Sequence, residues 1–244
     1  MSELSNYIDE YLKTEYTLKS TLKDSVQSSV YLYQKNDSAK QIVKISQKNR
    51  NDHVLRRLRG QLNKNTATIY EVCSNDEDVT VLEEYISGAT LRHIVEVNGG
   101  TLKRELAVKY ALDICNGLVF IHSLGIIHRD IKPSNIIITE QGEAVIIDFG
   151  IARLTDDSKY ADTKNLGTAG YAAPEQFGIY QSGPVTDIYA VGVLLNELLL
   201  GVHPTIDTPK GKLGKVINKC IMAQMSKRYQ TAVSYTHLTL PTNS

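Results

Sequence analysis

The sequence predicts an α+β protein in two parts: a small antiparallel sheet carrying one helix, then a larger, mainly helical part. Three observations carry this prediction. Between residues 16 and 86, short runs with β-branched and aromatic bias follow one another, broken once by a helical period. Ser87-Gly88 then interrupts the pattern. Beyond it apolar residues recur at helical spacing, and one stretch is apolar nearly all round, as a helix inside a core must be.

Taken in order, YTLKSTL, SVYLYQ and QIVKIS read as three strands. From Asn49 to Leu62, the residues Val54, Leu55, Leu58 and Leu62 fall at three- and four-residue steps, one buried helix face. TATIYEV and VTVLEEYI add two strands. In the second part, Leu106, Tyr110, Ile114, Leu118 and Ile121 stripe a helix over Leu102 to Ser123, and Asp187 to Leu200 is the helix apolar on nearly every side. The expected organisation is an N-terminal extension at 1–15, a first lobe with its hinge at 16–86, and a second lobe at 87–232. Residues 233–244 lack caps and periodicity, and VSYTHLTLPT resembles the one-frame translation of an adapter used to prepare sequencing libraries. They are expected to be a non-native tail, with the second lobe truncated and the natural chain continuing past Ala232.

Composition narrows the function classes. Lys plus Arg and Asp plus Glu are equal at 27 each, so no bulk charge draws the chain to nucleic acid or anionic lipid. Cys73, Cys115 and Cys220 stand far apart, without zinc spacing or the density of a disulfide framework. They read as reduced packing residues of a cytoplasmic protein. The first twenty residues hold acids and no apolar run, which excludes an ordinary secretion signal, and no membrane-spanning segment is present in the chain.

Candidate chemistry lies in the middle. HRDIKPSN at 128–135 offers a carboxylate, Asp130, and an amide oxygen, Asn135; IIDFG at 146–150 offers a second carboxylate, Asp148, before a glycine that allows a sharp turn. Oxygen ligands of this kind suit a hard cation such as Mg²⁺. Either motif alone is weak, since acids often merely cap turns. Here both occur, separated by IIITEQGEAVII, the length of a two-strand hairpin.

With those residues in place, the chain from Tyr16 to Ala232 resembles a eukaryotic-type (Hanks-type) Ser/Thr protein kinase, of bacterial kind. The resemblance implies a two-lobed fold, ATP and Mg²⁺ as cofactors, and proteins bearing Ser or Thr as partners. It makes Asp130 the catalytic base, Asn135 and Asp148 the metal ligands, Lys132 a brace for the γ-phosphate and Lys44 the grip on the α- and β-phosphates. A strand Lys is otherwise most often a solvated edge charge. Glu84, Tyr85 and Ile86 match the hinge whose backbone meets adenine, and Val30 the strand residue over the nucleotide. GTAGYAAPEQ at 167–176 matches the end of an activation segment, in which Thr168 lines the substrate site and contacts Asp130. Asp187 anchors the catalytic loop, and Arg228 pairs with Glu175. Arg129 before the catalytic Asp implies control by phosphorylation, with Thr155, Ser158 and Thr163 as acceptors or merely polar loop residues.

Two departures concern the first lobe. LKDSVQSSV at 22–30 has no glycine, and Lys23, Ser25 and Ser28 stand at the three glycine positions. The serine hydroxyls could donate to phosphate and Lys23 could add charge, under a stiffer cover. The helix position that should supply a Glu to Lys44 falls on Asn51, with Asp52 beside it. Glu83, behind the nucleotide where an apolar residue is usual, is expected to pair with Lys44 in that Glu's place, or else to face a solvated back pocket. An active kinase is the leading reading; a pseudokinase that binds nucleotide or acts as a scaffold is the alternative. The Ala173-Pro174-Glu175 segment disfavours a small-molecule phosphotransferase. Substrate identity and oligomeric state are not encoded legibly.

Overall fold

A computed structural model describes residues 3–26, 28–48, 52–75, 78–156, 167–177 and 181–232. The chain divides into two compact units: 1–63 with 67–86, and 64–66 with 87–244. Asn51, Ser158, Thr163 and the expected tail at 233–244 lie outside the described residues.

The first unit opens with α1 (Glu3–Glu15), followed by β1 (Tyr16–Asp24), β2 (Ser28–Lys35), β3 (Gln41–Gln47), α2 (Asp52–Leu58), β4 (Ile69–Ser74) and β5 (Val79–Glu84). The strands form one sheet in the order β1-β2-β3-β5-β4, with every neighbour antiparallel. Residues 1–15, expected as an extension, thus include a helix that packs. Ile8 and Leu12, four residues apart and so on one helix face, join Tyr16, Ile42, Cys73 and Leu82 in a buried cluster. Their partners on β3, β5 and β4 share one face of the sheet, because directly opposed residues point the same way and neighbours along a strand point oppositely. The other helix buries Val54, Leu55 and Leu58 and packs on β4. It stops earlier than the sequence suggests: Gly60, at φ +73, turns the chain, and Leu62 is exposed.

In the second unit β6 (Gly88–Thr90) leads into α3 (Leu91–Val97), whose first turn is capped by the Thr90 hydroxyl accepting from the His93 N–H at 3.2 Å. Next come α4 (Arg104–Ser123), β7 (Ile126–Ile127), β8 (Ile136–Thr139), β9 (Ala144–Ile146), β10 (Arg153–Leu154), α5 (Pro184–Leu200) and α6 (Lys212–Cys220). β8 and β9 are the hairpin read from the sequence, extended by β6, while β7 pairs with β10. α5 packs between α4 and α6, and its Val191, Val193, Leu194, Leu195 and Leu198 are buried on successive sides. Residues 64–66 belong to this unit: the Ile146 N–H donates to the Asn65 carbonyl at 2.8 Å, and Asn65 Nδ2 donates to the Ala144 carbonyl at 2.9 Å. Gly117 on α4 allows that approach, since a Cβ there would lie 2.8 Å from the Asn65 carbonyl oxygen. No helix among the described residues is long and apolar enough to cross a membrane.

Candidate functional site

The second unit builds its site on the loop after β7. Asp187, near the start of α5 and fully buried, accepts the backbone N–H groups of His128 at 2.9 Å and Arg129 at 2.8 Å. His122 Nε2 lies 2.8 Å from the same carboxylate. Burial pushes the Asp187 carboxyl up, but the hydrogen bond and charge of His122, with His128, outweigh it and hold the group below the usual carboxylate range. The loop is thereby fixed with Arg129 at φ 66, and Asn135 follows on a 3-10 turn from Pro133.

Asp130 is the centre of a hydrogen-bonded set. Its Oδ1 accepts from the Thr168 hydroxyl at 2.8 Å; its Oδ2 accepts from Asn135 Nδ2 at 2.9 Å and lies 2.8 Å from Lys132 Nζ. Lys132 also donates to Thr168 Oγ1 at 2.7 Å. Both Asn135 donors point at Asp130, through its carbonyl and its carboxylate, so the amide oxygen is left for another partner. Asp148 is exposed at φ 65, one carboxylate oxygen accepting the Gly150 N–H at 3.0 Å. Asn135 and Asp148 therefore retain oxygen atoms of the kind Mg²⁺ takes, and the donor set fits that ion.

The 167–177 segment is tied to this loop by one residue the sequence reading did not single out. Gln176, 1% exposed, donates to the Arg129 carbonyl at 2.8 Å and accepts the Ala173 N–H at 3.0 Å. Tyr171 donates to the Glu197 carboxylate; burial, then that bond, pushes its phenol well above the ordinary range. Arg228 grips Glu175 through two nitrogens at 2.7 and 2.9 Å, both residues buried, and Thr186 adds a bond to the same carboxylate at 2.8 Å. Thr155 is exposed and bonds the Gly125 carbonyl.

In the first unit the expected arrangement is corrected. Lys44 Nζ pairs with Asp9 Oδ1 on α1 at 2.5 Å, both side chains partly exposed. Glu83 does not take that role: it opposes Val43, so it points to the face opposite Lys44, which opposes Leu82. Asp52 does not take it either, bonding Arg56 at 3.2 Å and Ser74 at 2.8 Å, and those bonds leave its carboxyl lowered in spite of burial. Register also separates Lys44 from Val30, which opposes Ile45 on the Glu83 face. Ser25 is committed to its own hairpin: its hydroxyl donates to the Ser28 carbonyl at 2.8 Å and accepts the Ser28 N–H at 3.1 Å. At the hinge, the Glu84 N–H donates to the Thr68 carbonyl at 2.9 Å and its carboxylate accepts the Thr68 N–H at 3.2 Å; Ile86 ends the unit. The Ile8 to Leu12 spacing was the signal for α1, and hence for Asp9.

Residues 14–240 match the protein kinase domain family. The chain is 35% identical over 162 residues to a probable serine/threonine-protein kinase of Clostridium perfringens, covering 63% of this chain and 24% of that protein. It is 43% identical over 127 residues to a probable serine/threonine-protein kinase PknB of Bifidobacterium longum (51% and 18%). Over 178 residues it is 34% identical to the serine/threonine-protein kinase PknB of Mycolicibacterium smegmatis (62% and 28%). The chain thus spans less than a third of the length of these bacterial relatives.

Proposed function

The chain belongs to the protein kinase family, as a Hanks-type Ser/Thr member, and from that premise we propose that it transfers the γ-phosphoryl group of ATP to Ser or Thr hydroxyls of proteins. The observation that carries this reading is the set joining Asp130, Lys132, Asn135 and Thr168. Phosphoryl transfer needs positioned groups more than covalent chemistry. Asp130, held by Thr168 and Asn135, orients the substrate hydroxyl and takes its proton at a carboxylate oxygen. Lys132 carries positive charge beside it for the transferred phosphoryl oxygens. Asn135 and Asp148 would hold Mg²⁺, which when bound neutralises charge on the phosphates. Asp187 keeps the loop in place, and the Glu175 to Arg228 pair holds the segment bearing Thr168. Glu84 and Ile86 offer backbone groups to adenine, and Val30 covers the ring. Thr155, Ser158 and Thr163 remain the acceptor candidates for activating phosphorylation.

The test is Mg-ATP turnover on a generic basic protein. The unmodified chain should label the protein, while Asp130→Asn and Asp148→Ala lower kcat by on the order of a hundredfold or more. Equal labelling by all three proteins would defeat the proposal. A second reading, a nucleotide-binding or scaffolding pseudokinase, is favoured by one observation: Lys44 faces away from Val30 and is held by Asp9. Nucleotide binding without turnover would support that reading instead.

A further inference from the structure

The chain leaving α5 is held in a shape that delivers one side chain to the 167–177 segment. Asn196, near the end of α5 and fully buried, donates through Nδ2 to the Val202 carbonyl at 2.8 Å and to the Asp207 carbonyl at 2.9 Å. One buried amide thus joins both ends of the loop 202–207 to the helix. Gly201, at φ +69, ends α5 and turns the chain into that loop, and within it the Ile206 N–H donates to the His203 carbonyl at 2.9 Å. A loop fixed in this way from a helix holds its side chains in defined directions.

His203 is the side chain so placed. Its Nε2 lies 3.0 Å from the Gly170 carbonyl, which only accepts, so Nε2 carries the proton. Nδ1 accepts the Thr205 N–H at 3.3 Å, with the Thr205 hydroxyl 2.8 Å away. The two ring nitrogens therefore have separate roles: Nδ1 completes the loop that carries the imidazole, and Nε2 reaches a residue 33 positions earlier. Gly170, at φ +92, lies in a turn where the Thr168 carbonyl accepts the N–H groups of Tyr171 at 3.0 Å and Ala172 at 3.1 Å. The hydroxyl of the same Thr168 donates to Asp130 Oδ1 at 2.8 Å and accepts from Lys132 at 2.7 Å. With Tyr171 bonded to Glu197, two consecutive residues of the turn are held from the end of α5 and the loop after it.

We propose that His203 is a positioning residue of the phosphoryl transfer: through the Gly170 carbonyl it sets the turn that holds the Thr168 hydroxyl on Asp130. This rests on the kinase reading above and adds to it a residue outside the motifs that carry that reading. Transfer requires the acceptor hydroxyl and the phosphoryl group to be held in line, and a displacement of about 1 Å can cost up to about a hundredfold in rate. The effect of His203 reaches the reaction by way of Thr168.

Steady-state kinetics of the full chain, with Mg-ATP and a generic basic protein varied separately, test it. His203→Gln places an amide N–H near the position of Nε2 and keeps the bond to Gly170, whereas His203→Asn places its amide near Nδ1, keeps an acceptor for Thr205 and loses Gly170. His203→Asn and His203→Ala should lower kcat by about tenfold with KM for ATP unchanged within about twofold, and His203→Gln should restore most of the rate. In a Thr168→Ala background, His203→Asn should cost less than about a further twofold, because residues acting through one path are not additive. An unchanged kcat in His203→Asn overturns the proposal, as does an equal loss in His203→Gln or a full tenfold loss in the Thr168→Ala background. Those results leave the kinase reading standing. An unmodified chain that labels no protein overturns that reading and the proposal with it.

Discussion

Asp187 links a buried charge to two backbone N–H groups of the loop that presents Asp130. Asp187→Asn turns one acceptor into a donor and leaves at least one of those N–H groups facing it, at a cost on the order of 1–3 kcal/mol. Because the folded-state pKa lies below the ordinary carboxylate value, the stabilisation is fully present above that value and fades as pH falls through the folded one. Thermal melts should show a gap between the unmodified chain and Asp187→Asn at about pH 5 that narrows below about pH 4. Equal melting at about pH 5 would show that the Asp187 charge does not hold the loop. The groups around Asp130 were legible because the runs at 128–135 and 167–176 resemble those of a known family, and the resemblance implied Lys132, Asn135 and Thr168 together, Thr168 from 38 residues away. Gln176 and His122 were not, since each reaches a partner 47 or 65 residues away and nothing local marks the bond.

Elements were legible in proportion to their periodicity. Strands β1 to β5 and the helices α4 and α5 follow from alternation or from stripes, and the β8 and β9 hairpin from its length; β6, β7 and β10, of two or three residues each, are too short to alternate. α1 was not legible, because its four-residue apolar step, which includes Ile8 and Leu12, is diluted by the charged and tyrosine-bearing remainder of the helix. The partner of Lys44 was missed for a related reason. A one-residue change of register moves every side chain of a strand to the other face, and the apolar run Ile42-Val43 is buried on both faces, so sequence alone does not say which way Lys44 points. The packing of α1 is testable. Leu12, 2% exposed, should cost about 2–4 kcal/mol when replaced by Ala, whereas Tyr7→Ala on the outer side changes stability by less than about 0.5 kcal/mol. Chemical denaturation would measure both, and equal effects would show that α1 does not dock through Ile8 and Leu12.

At the scale of the whole molecule, the chain passes between its units at 63/64, 66/67 and 86/87. The sequence break at Ser87-Gly88 marks the last of these; the first two have no compositional signal, because a three-residue excursion is too short to carry one. Its anchor is the close approach of Asn65 to Gly117, so Gly117→Ala, which brings a methyl against the Asn65 carbonyl and the Ile146 side chain, should destabilise the intact chain by about 1–3 kcal/mol. A melting temperature unchanged by that substitution would show that the approach is loose. The same excursion governs how such a gene can recombine. A crossover at 86/87 leaves Asn65 on one parent and Gly117 on the other, so a chimera keeps this approach only when the first parent carries an Asn at 65 and the second a glycine at 117; the bonds to Ala144 and Ile146 are to backbone groups that any residue other than proline supplies.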